Sequence, residues 1–405
     1  MAFGMLDSTE VLTAGLQPNR AGQDHFPALT GVRFPLAIWV IVHHLTGPGA
    51  MLDGVVSSLP SAGQTFIRMA YVALGTFFVL SGFVLARSYR STEWTRENLL
   101  RYTAARIARF YPVYLLSLLV IAPFMYRDLA GAPELGGAAD RAGLLFNYLF
   151  VLQGWAKLPV SWNTPAWSLS CELFFYACFP LVILLVRGFS WTRVLVTVAL
   201  AFALPMGVRM MGAPPEWKPF LFFGDFLIGV GLAGLYQKAA LSRIRFVGRG
   251  QWLYVPASVL GVLMILSESW VQSWALTDAG LRVANAALVL GLACGGGVIA
   301  RALSTKIAVL EGKATYAIYI LHVPLLWWFK RSFVYHSLPG PAAALVFIAA
   351  VVILSTAVCL VLEEPANRAL REKAAEWLRR KPKAGGGVRA RRAVSAQPLG
   401  SPAPR

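Results

Sequence analysis

The sequence predicts an all-α, polytopic membrane protein with about ten transmembrane helices and one short re-entrant or interfacial segment. Three observations predict it. Of 405 residues, 57% are apolar and 14% charged, against about 25% charged in soluble domains. A water-soluble globule could not hide so much apolar surface, which excludes a soluble enzyme or a DNA-binding factor. The apolar residues fall in runs near the ~20 residues needed to cross a hydrocarbon core. Finally, 37 basic residues face 19 acidic ones, a formal charge of +18. They sit between the runs and in the tail, the pattern of membrane topology rather than of nucleic-acid binding.

Ten runs approach spanning length: 28–46, 66–86, 110–126, 166–186, 191–208, 219–236, 252–267, 281–300, 314–331 and 341–362. An eleventh, 142–155, is short and ends at Gly154-Trp155. Counting it as a span would flip every later loop and scatter the basic residues over both faces, so it is read as re-entrant or interfacial. The stretch 87–109 carries Arg87, Arg90, Arg96, Arg101, Arg106 and Arg109 and marks the cytoplasmic side. Ten spans then place 187–193, 238–250, 301–313 and the tail on that side, so both termini are expected in the cytoplasm. The expected organisation is a polar segment 1–27, a transmembrane domain 28–365 and a basic, disordered tail 366–405.

The tail combines Arg379, Arg380, Lys381 and Lys383 with Gly385–Gly387 and Pro398, Pro402 and Pro404, a composition suited to orientation and to anionic membrane lipid. No h-region precedes the first run, so no cleaved signal peptide is expected. No internal repeat is visible, which weighs against a transporter built from duplicated halves. Cys171, Cys178, Cys294 and Cys359 all lie in apolar runs; no disulfide framework or metal site is expected.

Polar residues inside the runs are expensive, which makes each a candidate site residue. Arg33 and His44 lie eleven residues apart; eleven helical steps are three turns plus ~20°, so they share a face about 16 Å apart along the axis. A cationic anchor with a titratable base deeper in is one reading; a snorkelling arginine and an interfacial histidine is the other. His43 is rotated ~100° away. Ser81-Gly82 admits close approach of a ligand or of another helix, the second being the ordinary case. Arg106 and Arg109, at i, i+3, suit phosphate groups or plain anchoring.

Trp162 and Trp167 fit an interfacial belt. Glu172 sits within an apolar helix with Ser168 at i−4 and needs a partner; His44 is the first candidate, and a structural ion pair is the alternative. Asp225 also needs a partner that the sequence does not name. His322 precedes Pro324, where the helix can kink; it is equally a core histidine or a ligand contact. Glu363-Glu364-Pro365 reads as helix termination with an exposed acid pair.

Taken together, these segments resemble the acyltransferase-3 family of integral membrane acyltransferases, which includes O-antigen and exopolysaccharide O-acetyltransferases. The resemblance runs from Leu29 to Arg371 through LTGVRFPLAIWVIVHH at 29–44, FFVLSGF at 77–83, RIARFYP at 106–112, WSLSCE at 167–172, YAIYILHVP at 316–324 and LEEPANRALR at 362–371. Two departures are Thr30, where the family often has Asp, and Leu173, where it often has a second acid.

The resemblance implies transfer of an acyl group, usually acetyl, from acyl-CoA as co-substrate to a hydroxyl of a carbohydrate or related small molecule, at a plasma (inner) membrane. No permanently bound cofactor and no nucleic-acid partner are implied. It implies His44 and Glu172 as catalytic residues, and Arg33, Arg106, Arg109, Ser81 and Gly82 around the donor. Trp167, Ser168, Ser170 and His322 would lie around the acceptor. The rival class is a transporter or flippase of a glycan or small molecule, without thioester chemistry.

Overall fold

The computed structural model describes residues 26–186, 190–241, 248–267 and 274–380. Most of the polar N-terminal segment and the Gly/Pro-rich end of the tail, 381–405, lie outside the described residues. The described chain is helical throughout, without a strand. It opens with α1 (Pro27–Gly31), α2 (Arg33–His44), α3 (Asp53–Ser57), α4 (Ser61–Arg68), α5 (Val72–Ser88) and α6 (Arg96–Gly131). Next come α7 (Ala138–Leu149), α8 (Ala166–Val186), α9 (Trp191–Met210), α10 (Lys218–Leu241), α11 (Gln251–Ser267) and α12 (Trp274–Cys294). The chain closes with α13 (Gly297–Leu303), α14 (Lys306–Phe329), α15 (Phe333–Ser337), α16 (Gly340–Val358), a π-turn (Cys359–Glu363) and α17 (Glu364–Arg380).

Capping residues set several of these starts. Thr95, Ser190 and Thr305 each accept a hydrogen bond from the backbone N–H three residues on, opening α6, α9 and α14 as N-cap hydroxyls do. Proline does not end the long helices: Pro112 and Pro123 lie inside α6, and Pro324 lies inside α14.

The expected ten spans are not all of crossing length. Among the described residues six helices are long and apolar enough, and a seventh results if α4 and α5, bent by 40°, count as one. The first run is broken at Val32, leaving α2 with 12 residues. The run 252–267 is helical up to Ser267, the last described residue before 274. The run 314–331 extends into α14, which carries Lys306, Glu311 and Lys313. The stretch 142–155 becomes the 12-residue α7 and a buried loop, too short to cross as a helix.

Two helices meet backbone to backbone. A Cβ built on Gly82 of α5 would lie 2.1 Å from the Phe226 carbonyl of α10, and one on Gly229 would lie 2.0 Å from the Val79 carbonyl. Glycine is therefore required on both sides for these axes to approach so closely. Around the contact Phe78, Phe175, Phe179 and Phe226 form one core, each at most 1% exposed. Gly82→Ala is expected to destabilise the protein by about 1–3 kcal/mol, because no rotamer change relieves a clash with a carbonyl. Thermal unfolding in detergent, against Gly54→Ala, whose Cβ meets nothing within 4 Å, checks this.

Buried charge clusters on the far side of α5. Asp225 has its partner in Arg282, 3.5 Å away, and Arg282 also reaches Asp278 at 3.1 Å. Asp278 in turn lies 3.8 Å from Arg209. Thr76 donates to Asn285 at 2.8 Å beside this chain of charges.

Three expectations are corrected. Trp162 is no belt residue: it is wholly buried, and its indole N–H donates to Asp128 at 2.9 Å. Residues 366–380 are not disordered but form most of α17, which packs on α6. The pair Glu363-Glu364 does not end the last span in an exposed cap. The helix passes through a π-turn there, and Glu363 is only 2% exposed.

Candidate active site

A cavity of about 1500 Å³ runs into the bundle from an open mouth between the 89–98 connection, the start of α6 and α17. Its cations come from four elements. Arg33 opens α2, Arg101, Arg106 and Arg109 lie along one side of α6, Lys313 is on α14, and Arg368 and Arg371 are on α17. Glu172 of α8 and Glu363 of the π-turn supply carboxylates within the same space.

These charges are unevenly matched. Arg109 lies 3.4 Å from Glu363, Arg101 pairs with Glu97, and Lys313 lies 3.8 Å from Glu364. Among the described residues no carboxylate lies within 4 Å of Arg33, Arg106, Arg368 or Arg371. Arg106 rests instead on aromatic faces, 5.7, 5.8 and 5.7 Å from the ring centres of Tyr89, Tyr102 and Tyr176. That cage holds a guanidinium through cation–π attraction and leaves its charge available. Its Nε is buried without a hydrogen-bond partner.

Glu172 does not meet His44. Its Oε2 accepts a hydrogen bond from Tyr176 at 2.8 Å, and the cations around it are Arg109, Arg33 and Arg106. The expectation of a His44–Glu172 pair is therefore overturned. Glu172 and Tyr176 lie at i, i+4 on α8 and line the cavity together, whereas His44 lies beyond its inner end. The i, i+4 spacing was a usable signal for Tyr176 that the sequence reading passed over.

The partner of His44 is the other histidine. The His322 Nε2 lies 3.4 Å from the His44 Nδ1, with ring centres 4.9 Å apart. The network fixes the neutral tautomers, which coordinates alone do not show. The His322 Nδ1–H donates to the Tyr319 carbonyl at 2.7 Å, so its Nε2 is an acceptor. The His44 Nδ1–H is directed at the Val40 carbonyl, 2.9 Å away, and at that Nε2. The His44 Nε2 therefore keeps a free lone pair, which a base requires.

One layer of side chains separates this pair from the cavity. Between Arg33 and His44 the shared face of α2 is filled by Ala37 and Val40, 0% and 4% exposed. Phe77 and Tyr319 line the cavity's inner end with ring centres 6.4 Å apart, and the Tyr319 ring centre lies 6.0 Å from that of His322.

The other expected residues divide. Ser81 and Ser168 line the cavity, the latter donating to the Pro165 carbonyl at 2.9 Å. Gly82 is instead spent on the α5–α10 contact. Ser170 is 1% exposed and pins the loop after α7, donating to the Val151 carbonyl at 2.6 Å and accepting from the Gly154 N–H at 3.0 Å. Val151 there has φ 58°, a strained value for a β-branched residue. Trp167 stacks near Phe222 under the Lys218 ammonium, 4.3 Å from its ring centre. His322 is fully buried.

Residues 26–364 match the acyltransferase-domain family of the acyltransferase-3 type. The chain belongs to this family. It is 26% identical over 366 residues to the acyltransferase MdmB of Streptomyces mycarofaciens, covering 85% of this chain and 92% of that protein. It is 22% identical over 347 residues to the O-acetyltransferase OatA of Staphylococcus aureus, covering 78% of this chain and 53% of OatA, so it spans about half of OatA. Protein 2 of the picA locus of Rhizobium radiobacter is 30% identical over 171 residues, 37% of this chain and 78% of that protein. No solved structure matches the chain. The protein is thus a multi-pass membrane acyltransferase that transfers groups other than amino-acyl groups.

Proposed function

We propose that this acyltransferase takes its acyl group, acetyl in the first instance, from acyl-CoA and passes it to a hydroxyl of a carbohydrate or related small molecule. The observation that carries the donor is the cavity whose guanidiniums at Arg33, Arg106, Arg368 and Arg371 have no carboxylate within 4 Å among the described residues. Unpaired guanidiniums in a shaped cavity suit a ligand with several phosphates. The six arginines of 87–109 support placing the mouth and both termini on the cytoplasmic side of a plasma membrane. The name of the O-acetyltransferase relative supports a hydroxyl acceptor.

In this reading the phosphates stay among the arginines and the acyl-pantetheine arm extends toward the histidine pair, displacing the Tyr319–Phe77 layer. The His44 Nε2 takes the acceptor's hydroxyl proton as the oxygen attacks the thioester carbonyl. The new C–O bond forms, the C–S bond breaks, and the imidazolium returns its proton to the departing CoA thiolate. The His322 Nε2 holds the His44 Nδ1–H during this exchange. Glu172, away from the imidazole, and Tyr176 keep the arginine side of the cavity in order.

Purified protein in nanodiscs with acetyl-CoA and a panel of sugar and small-molecule hydroxyl acceptors should release free CoA thiol, read with a thiol reagent. Acceptor movement across a vesicle without thiol release would favour the transporter reading. Arg33→Ala is expected to raise the KM for acetyl-CoA by roughly tenfold, the scale of one charge-assisted hydrogen bond. An unchanged KM would remove Arg33 from the donor site.

A further inference from the structure

The last helix brings two arginines to the mouth of the cavity, where the far end of an acyl-CoA donor would lie. We infer that Arg368 and Arg371 of α17, with Tyr89, form a subsite for the 3′-phosphate on the ribose of the donor's nucleotide. This inference rests on the acyl-CoA reading.

The placement follows from the register of two packed helices. Arg109 of α6 meets Glu363 of the π-turn. From that pair α6 runs back toward the mouth while α17 runs out to it. Arg106 is three residues from the pair, Arg368 five and Arg371 eight, so at 1.5 Å per residue they descend to about 4.5, 7.5 and 12 Å below it. The guanidiniums therefore form a ladder from the interior to the opening. Its inner rungs stand where a diphosphate would enter, and its outer rungs belong to α17.

Arg368 and Arg371 both line the mouth, and among the described residues neither has a carboxylate within 4 Å. Arg371 and Tyr89 line this mouth together, and Arg106 and Arg109 are the charged neighbours of Arg371. Tyr89 also accepts from the Arg106 Nη2 at 3.5 Å. Tyr89 thus lines the same mouth as two guanidiniums, Arg106 and Arg371, that repel one another. A dianionic phosphate placed there relieves that repulsion and gains charge-assisted hydrogen bonds. Arg101 and Lys313 at the mouth pair with Glu97 and Glu364, whereas among the described residues Arg368 and Arg371 form no ion pair, although Glu93 and Glu372 line the same mouth.

The π-turn gives this pair its facing. Its wider turn changes the phase of everything C-terminal to it, and such turns recur at functional sites. Here it carries Glu363 inward onto Arg109 and sets Asn367, Arg368 and Arg371 on the cavity side of α17.

The test compares acetyl-CoA with acetyl-3′-dephospho-CoA, which differ only in this phosphate, on the full-length protein and on Arg368→Gln/Arg371→Gln. The wild-type KM should be about tenfold lower for acetyl-CoA, equivalent to ~1.4 kcal/mol. In the double variant the KM for acetyl-CoA should rise to meet that of the analogue, whose own KM stays in place. Equal KM values for both donors in the wild type would overturn the subsite. So would a variant that weakens both donors equally, which is general attraction of anions to the mouth. Thermal unfolding of the variant in detergent separates lost recognition from lost folding. Arg368→Lys/Arg371→Lys, which keeps both charges, should restore most of the discrimination and overturns the subsite if it does not. Absence of thiol release from either donor in the wild type would instead overturn the acyl-CoA reading, and this subsite with it.

Discussion

His44→Ala is expected to lower kcat by about 10²–10⁴-fold, the range general-base catalysis contributes, while the protein still reaches the membrane and unfolds within a few degrees of the wild type. The expectation rests on the tautomer of the histidine pair. The Val40 carbonyl and the His322 Nε2 engage the His44 Nδ1–H, which leaves the Nε2 lone pair for the acceptor's proton. His43→Ala is the control. Its ring is perpendicular to that of His44, and it takes no part in the contact with His322. Thiol release and acylated product, measured together at saturating donor, check the result. Activity within a few-fold of wild type in His44→Ala would remove the base from the mechanism.

The second large effect concerns stability. Asp225 and Arg282 each expose only 5% of their side chains. Asp225→Ala is expected to destabilise the bundle by about 3 kcal/mol, because it strands a buried guanidinium. The remaining contacts of Arg282, with Asp278 at 3.1 Å and the Leu221 carbonyl at 3.2 Å, keep the cost near the lower end of the usual range. Replacing both, as Asp225→Ala/Arg282→Met, should recover much of the loss, since no buried charge then lacks its partner. Thermal unfolding in detergent of the four proteins in this cycle checks it. A single variant as stable as the wild type would mean that the pair does not hold α10 to α12.

What could be read in the chain before folding depends on how local the signal is. The helical class and the apolar runs were legible because hydrophobic length acts within one segment. Arg33, Arg106, Arg109, Ser81, Ser168 and Glu172 were singled out as costly or close-packed residues in apolar surroundings, and all six line one cavity. The same reasoning misjudged Gly82 and Ser170. A small residue in a span is required equally by a ligand and by a neighbouring helix, and only the Phe226 carbonyl and the Val151 loop show which applies. Six described helices, rather than ten, have the length and apolarity of a span, partly because window hydropathy does not register the break at Val32.

Glu363 was the least legible. Beside Glu364 and Pro365 it reads as a helix end, and nothing in those three residues announces a π-turn that buries one acid against Arg109. Tyr89 was equally hidden, since a tyrosine between two arginines and a turn has no local reason to hold Arg106 at the mouth of a cavity.

The amino-acid order determined the medium this protein lives in, the segments that cross or approach it, and the short set of charged and histidine residues with which it can do chemistry. All of these follow from the cost of placing particular side chains in hydrocarbon. Only the tertiary structure decided the pairings: His44 with His322, Glu172 with Tyr176, Asp225 with Arg282, Arg109 with Glu363. A pairing between residues as far apart as 44 and 322 is a property of helix packing, which brings faces together by shape and backbone approach, and no periodicity within either segment encodes it.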